Sequence, residues 1–324
     1  SMQELRVIMV NQDGTIIDNQ NKQIATDQTQ ETFNFQAPVK NGNESFTFFA
    51  IANESSIVPA NLSWIKQPTS TLFANSINER KTTQIGNDAV FDFSRHIPQT
   101  KIWEVSYSEI KESGGNLSIT KQLEYVTGKI SVHFVNQTNE QQSLSNIHIT
   151  GITPNTQGYL FKQDGTDYID SKDNNATSIS WGKVLTLAAP TTGDKGETIY
   201  ASDSVAYYTY PLAEGNFNSP MLYATWGDET EPRTLALSGI TSLKRNDHLK
   251  IIVTLTGQEL VVKYTIAPWV EKLTNIGSPT IGGGYNTEDW TAGGDVNIGG
   301  DPVVPDVPVV PGGVLWSKDN LGFV

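Results

Sequence analysis

One pattern constrains this chain more than any other. Short runs of alternating apolar and polar residues follow one another, each closed by a turn, with almost no helical periodicity between them. Alternation puts successive side chains on opposite faces of a strand. Leu249-Lys-Ile-Ile-Val-Thr-Leu255 and Leu260-Val-Val-Lys-Tyr-Thr-Ile266 flank Thr256-Gly257-Gln258-Glu259 and read as the clearest hairpin, ended by Pro268-Trp269. Near the start, Leu5, Val7 and Met9 alternate with Arg6, Ile8 and Val10. Asn11-Gln12-Asp13-Gly14-Thr15 then turns the chain, with Asp-Gly where a tight hairpin needs positive φ. Ser45 to Ala52 is apolar on both parities and reads as a central strand buried on both faces. Further strands are expected at Thr32–Phe35, Phe91–Phe93 and Ile102–Tyr107. In the second half they are expected from Gly128 (Ile130, Val132, Phe134), at Leu144–Ile152, Ser180–Leu187, Ile199-Tyr200, Val205–Tyr210, Met221–Trp226 and Thr234–Leu237. Residues 69–85 are the one helical candidate; Lys111 to Asn116 reads as a turn and Asp164 to Asn175 as a polar loop.

Strands at this spacing without intervening helices imply an all-β chain of antiparallel sandwiches rather than a parallel sheet. A length of 324 residues suits two domains, placed at 1–127 and 128–274 and followed by a tail, 275–324. The formal charge of −13 excludes a phosphate-neutralising surface, so nucleic acid is not an expected partner, and it disfavours anionic lipid. There is no cysteine, so disulfides and cysteine-ligated metal are excluded. No run of about twenty apolar residues is present to span a membrane. Ser1-Met2 reads as a cloning remnant, and a leader is expected to have preceded it.

The tail departs from the rest. Eleven of the 27 glycines and five of the 15 prolines fall within residues 275–324. These spacers join Val303-Val304, Val307, Val309-Val310, Val314-Leu315-Trp316 and the closing Leu321-Gly322-Phe323-Val324. Apolar, β-branched runs on a Gly/Pro tether describe a strand able to add to an open sheet edge. A disordered end is the alternative. Alternation puts Leu315, Ser317, Asp319, Leu321 and Phe323 on one face and Val314, Trp316 and Lys318 on the other, and both parities stay open.

Leu243-Lys-Arg-Asn-Asp-His-Leu-Lys-Ile-Ile-Val-Thr-Leu-Thr-Gly257, leading into Leu260-Val-Val-Lys-Tyr-Thr-Ile-Ala-Pro-Trp269, resembles the C-terminal signature of the fimbrillins, the type V pilins of Bacteroidales. In that family an Arg-Asn-His turn opens a strand ending Thr-Gly, and the next strand ends in tryptophan. Here the turn reads Arg245-Asn246-Asp247-His248, with one residue inserted. Leu5–Val10 with its Asp-Gly turn, Phe48-Phe49-Ala50-Ile51-Ala52-Asn53, Lys129–Phe134 and Tyr207-Tyr208-Thr209-Tyr210-Pro211 resemble other stretches of the family in the same order. The resemblance implies two tandem transthyretin-like antiparallel β-sandwich domains with an extended strand-bearing tail. It further implies export as a lipoprotein to the cell surface and outer membrane, and assembly into fimbriae by strand exchange, with partners that are other copies of the chain and other fimbrial subunits. On that reading the donor lies among Val309, Val310, Val314, Leu315, Trp316, Leu321 and Phe323, and the acceptor is the first domain near Leu5, Val7 and Met9. Arg80, in Asn78-Glu79-Arg80-Lys81, is the candidate processing site. The other readings are a fimbrial tip adhesin or surface lipoprotein binding host or bacterial glycans or proteins, and, last, a secreted β-sandwich hydrolase.

Signs of catalysis are sparse, and the chain is not expected to be an enzyme. His96, His133, His148 and His248 are scattered, and none pairs at metal-ligand spacing. His133 and His148 stand opposite the apolar parity of their strands and are expected at the surface. There is no nucleophile elbow or phosphate loop; Gly282-Gly283-Gly284 precedes no helix. Asp164, Asp167, Asp170 and Asp173 recur every third residue, without the spacing of a calcium loop. No cofactor is expected. Trp64, Trp181, Trp226, Tyr207 and Tyr208 are candidates for stacking on sugars, with core packing as the default.

Overall fold

The computed structural model describes residues 2–25, 28, 30–38, 41–58, 62–69, 77–86, 90–91, 96–176, 178–257 and 260–268. In chain order the strands are β1 (Glu4–Asn11), β2 (Ile16–Gln23), β3 (Ser45–Ala52), β4 (Ile57–Val58), β5 (Gln84–Gly86), β6 (Val90–Phe91), β7 (Gln99–Ser106), β8 (Glu124–Tyr125), β9 (Gly128–Asn136) and β10 (Gln142–Ile152). They continue with β11 (Gln157–Tyr159), β12 (Ser178–Trp181), β13 (Leu185–Leu187), β14 (Thr191–Thr192), β15 (Thr198–Ile199), β16 (Ser202–Thr209), β17 (Phe217–Trp226), β18 (Arg233–Ala236), β19 (Asp247–Leu255) and β20 (Leu260–Pro268). Two short helices, α1 (Ile77–Lys81) and α2 (Tyr107–Glu112), interrupt them. The chain is all-β, in two compact units. Among the described residues, one holds those up to Val126 together with Thr156–Asp170; the other holds Thr127–Asn155 and those from Ser171 to Pro268.

The first unit is built on a sheet of order β2-β1-β3-β7-β8. Asn11 to Thr15 turns the chain as expected: Gly14 takes φ +89°, its N–H donates to the Asn11 carbonyl at 2.9 Å, and the Asp13 carboxylate accepts from the Thr15 N–H. β3 lies between β1 and β7, with seven of its eight residues buried, so both of its faces need apolar side chains. One face carries Leu5, Val7, Met9, Phe48, Ala50 and Val105. On the other, Phe49 packs edge-on against Trp64 and Phe161, at ring-centroid distances of 5.5 and 5.3 Å. Phe161 belongs to the Thr156–Asp170 stretch, which is held here by β11 pairing with β5 and by the Thr100 hydroxyl donating to the Leu160 carbonyl at 2.7 Å.

The second unit is a sandwich. A sheet of order β16-β9-β19-β20 faces one of order β12-β10-β17-β18, with β13 also on β10. Their inner residues, among them Ile130, Val132, Phe134, Ile149, Leu222, Leu249, Ile251 and Val253, form one core. Burial alternates along β19 and β17, which is why those strands were plain in the sequence. The expectation of purely antiparallel pairing fails at one place: β19 runs parallel to β9 from His248↔Lys129 to Leu255↔Asn136. Strands β10 to β18 intervene between them, a long enough connection for the chain to return in the same direction.

Three local expectations need correction. Thr32–Phe35 makes no ladder; residues 30–38 pair in no sheet, with Phe33, Phe35 and Ala37 packed on the Leu5–Val7–Met9 face. Ser180–Leu187 is not one strand but β12 and β13, separated by Gly182 to Val184, with Val184 exposed. Tyr107 starts a helix rather than ending a strand: Ser106 accepts from the Glu109 N–H while the Glu109 carboxylate accepts from the Ser106 N–H, a reciprocal cap.

Candidate strand-acceptor site

Leu5, Val7 and Met9 are buried, at 7, 4 and 1% exposure. β1 is hydrogen-bonded along both sides, to β2 from Glu4↔Gln23 to Val10↔Ile16 and to β3 from Leu5↔Ala52 to Asn11↔Phe46. These residues line the floor of an apolar face and do not lie on an open edge; a strand entering this ladder would have to displace β2 or β3. The face is roofed by residues 31–37. Phe35 meets Phe48 edge-on at 5.3 Å, Phe48 stacks on Trp103 at 5.2 Å, and the side chains of Gln20 and Lys22 donate to the carbonyls of Asn34 and Thr32.

The open edge is elsewhere in the same sheet. β7 pairs with β3 over all eight residues, but on its outer side β8 meets it only at Gln99↔Tyr125 and Thr100↔Glu124. From Lys101 to Ser106 no strand covers that side among the described residues. Trp103 and Val105 carry the apolar face out to this rim, where Ile110 and Leu123 pack against it. Ion pairs flank it, Lys101–Glu124 at 2.9 Å and Lys81–Glu104 at 2.7 Å. The segment leading into β8 is solvent-exposed from Lys111 to Gln122, with Leu117 and Ile119 at 36 and 41%.

The donor candidates Val309, Val310, Val314, Leu315, Trp316, Leu321 and Phe323 lie outside the described residues, as does Gly282-Gly283-Gly284. Arg80 is half-buried on α1, its guanidinium over the Trp64 ring at 5.4 Å. A protease reaching Arg80 would first have to lift α1 from that ring.

The string that carries the family resemblance is a tight turn. Asn246 adopts φ +62° and donates its N–H to the Thr127 carbonyl at 2.9 Å, and the Asp247 carboxylate accepts from the Lys244 N–H. Arg245 is buried at 4%. The turn starts β19 alongside β9, whose first residue, Gly128, has no room for a side chain: an added Cβ would lie 2.7 Å from Leu243 Cγ.

The histidines are not all apart in space. The parallel register brings His133 and His248 together at Ser131, whose hydroxyl lies 2.9 Å from one Nε2 and 2.6 Å from the other. Their separation of more than a hundred residues hid this pair from sequence reading. The hydroxyl can donate to one ring and accept from the other, so the trio satisfies itself when both rings are neutral. Burial, reinforced by neighbouring lysine charge, holds both imidazoles well below the usual histidine range. On the same face Lys250 is pushed down to about 7, chiefly by burial and then by the charge of Lys129. Unfolded, this lysine titrates near 10.5. Between those values the unfolded chain binds the proton more tightly, so stability from this group rises with pH from about 7 to about 10.5. The histidines act in the same sense below 6.5, where falling pH costs stability. The urea midpoint of the second unit is expected to climb across pH 7–10, and Lys250→Met to flatten that climb; a parallel climb in the variant would remove Lys250 as its cause.

His148 stacks on Tyr223 at 4.6 Å, on a sheet surface. Trp64 and Trp226 are core residues at 3 and 8% exposure, and Trp181 and Tyr207 pack partly against the second core. Tyr208 lies under the Lys129 ammonium at 5.8 Å. The Asp167 and Asp173 carboxylates accept from the N–H groups of Gln163 and Asn175. Among the described residues no three acidic or histidine groups come together as a metal cluster.

No family model matches the chain, and no curated protein matches it. Among solved structures it is similar to a fimbrial assembly protein from Parabacteroides distasonis, at 12% identity and TM-score 0.41, over 83% of this chain and 88% of that one. It is also similar to the tip fimbrial protein Mfa3 from Porphyromonas gingivalis with C-terminal truncation, at 14% identity and TM-score 0.45, over 83% of this chain and 94% of that one. The solved structures it is similar to thus include fimbrial proteins and proteins described as cell adhesion proteins, all from Bacteroidales.

Proposed function

We propose that the chain is a structural subunit of cell-surface fimbriae that polymerises by giving the C-terminal strand of one copy to the first unit of the next. The observation that carries this is a pairing of features: an edge that no strand covers among the described residues at Lys101–Ser106, beside an apolar rim, and a tail whose short apolar, β-branched runs are joined by Gly/Pro spacers. The string Arg245–His248, with the strands on either side of it, supports the same reading through its resemblance to the fimbrillins. On that resemblance the two units are tandem transthyretin-like sandwiches, the protein is exported as a lipoprotein to the outer membrane, its partners are further copies and other fimbrial subunits, and it has no catalytic role.

The physics is ordinary. An open edge exposes N–H and C=O groups that want partners, and an added strand supplies them. Burying about five side chains at roughly 1.5–3 kcal/mol each is worth on the order of 10 kcal/mol before ordering costs. Head-to-tail donation does not close on itself, so it builds a filament. Deleting residues 300–324 is expected to leave a folded monomer and abolish polymers, read by electron microscopy and size-exclusion chromatography. Polymers that survive the deletion would reject the tail as donor.

A further inference from the structure

We infer that the outer face of the sheet β16-β9-β19-β20 carries a site for a small oxyanion of the sulfate or phosphate type, bound by Lys129, His133, His248 and Lys250 around the Ser131 hydroxyl. The site lies within the second unit and stands apart from strand donation.

Strand register builds it. β9 pairs with β16 on one side and with β19 on the other, and residues paired across strands share a face. Lys129 lies abreast of His248, Ser131 abreast of Lys250 in the next row, and His133 one row further along β9. Beyond β19, the register of β20 sets Lys263 across from Ile252 on the same face. Adjacent strands are about 4.8 Å apart, so a lysine reaches across a neighbouring strand. Both imidazole Nε2 atoms meet Ser131 Oγ, at 2.9 and 2.6 Å, and Lys129 Nζ lies over the Tyr208 ring at 5.8 Å. Lys129, His133, His248 and Lys250 are all half-buried, so an ion can reach them and is less screened there than at the open surface.

The sign of the ligand follows from what this face lacks. The chain carries a formal charge of −13, yet none of the four strands places an acid on this face. Their two acids, Asp203 and Asp247, fall on the opposite parity; Asp203 accepts from Lys183 and Asp247 from the Lys244 N–H. After burial itself, the charges acting on His133 are those of Lys250, His248 and Lys129, and those acting on His248 and Lys250 are again lysine charges. Half-buried like charges repel one another, and an anion relieves them. A divalent cation, the other ligand that two converging imidazoles attract, would add to the repulsion. With no ligand Ser131 lets both rings stay neutral. With an oxyanion in place each ring takes up a proton and donates it in a hydrogen bond, and Lys250 keeps its own. An anion favours the charged forms, so it raises these pKa values and binds with proton uptake. Affinity therefore falls as pH rises, through about 7 for Lys250.

The experiment is an NMR titration of the full chain with sodium sulfate, against sodium chloride at matched ionic strength, read at the imidazole C–H signals of the four histidines. Sulfate keeps the same charge across the pH range, so any pH dependence belongs to the protein. The expected result is saturable shifts at His133 and His248 and none at His96 or His148. Binding is expected to be about tenfold tighter at pH 6 than at pH 9, and about tenfold weaker in Lys250→Met or Lys129→Met. An unchanged His148 signal, which reports its stacking on Tyr223, shows that each variant remains folded. Shifts that are linear in sulfate, alike at all four histidines, or unchanged in both lysine variants overturn the inference. So does binding that tightens as pH rises, or Zn²⁺ saturating the His133–His248 pair where sulfate does not. Tighter binding of N-acetylglucosamine 6-sulfate than of inorganic sulfate, with no response to the unsulfated sugar, supports the site and assigns the oxyanion to an acidic glycan; equal or weaker binding supports it and assigns the free ion.

Discussion

Phe49→Ala is expected to destabilise the first unit by about 3–5 kcal/mol. Phe49 is fully buried on β3, the strand that both halves of that sheet depend on. Its ring contacts Trp64 on one side and Phe161 on the other. Truncation loses the transfer free energy of the ring and leaves a cavity between two rigid aromatic walls, which collapse poorly around it. Because Phe161 comes from the Thr156–Asp170 stretch, the loss should appear first at β11, as faster amide exchange at Gln157–Tyr159, and then in a lower urea midpoint. Phe49→Leu, which keeps most of the volume, should cost less than about 1.5 kcal/mol. If the two substitutions cost the same, the aromatic contacts are not what holds this layer.

Gly151→Ala should damage the second unit by roughly 3 kcal/mol or more. Gly151 interrupts β10 where its register against β17 shifts, between Thr150 and Ile152, and takes φ +74°. A Cβ there would lie 2.3 Å from the Asn218 carbonyl oxygen and 3.0 Å from Pro220 Cα. Both obstacles are backbone, so neither can rotate aside. The bulge would have to unwind, and β10 is the strand that β12, β13 and β17 all pair with. Gly165→Ala is the matched control: φ is +86°, but nothing lies within 4 Å of the added carbon, and only the backbone preference is lost, about 1 kcal/mol. Equal losses in thermal or urea unfolding would show that the left-handed backbone, and not the close approach to β17, governs position 151.

Much of the fold was legible because one period governs it. The β1–β2 turn, the two-sided β3 and the β19–β20 hairpin follow from alternation and from Asp13-Gly14 alone. α2 was also there to be read, since Ser106-Tyr107-Ser108-Glu109 is a capping box, but its six residues were hidden by the strand pattern running into them. Phe33 and Phe35 show the limit of the method. Alternation tells which side chains turn inward, and their segment does half-bury alternate residues, yet it makes no ladder. An open edge is hidden from the sequence for a related reason. Leu5, Val7 and Met9 were recognised as an apolar face, but a face and an open edge differ in what stands beside the strand, which a one-dimensional pattern does not record.

By itself the sequence determined most of the strands, the alternation of their inward side chains, and that the last fifty residues have the pattern of a strand on a tether. These are local properties, set by a two-residue period and by turn chemistry. Only the tertiary structure decided that β9 and β19 run parallel, that His133 meets His248 at Ser131, that Thr156–Asp170 belongs with the first unit, and that β1 is paired on both sides while, among the described residues, no strand covers the outer side of β7 from Lys101 to Ser106. Each of those depends on which distant strands share hydrogen bonds, and the energy of such pairings lies in contacts between residues far apart along the chain, where no local pattern reaches.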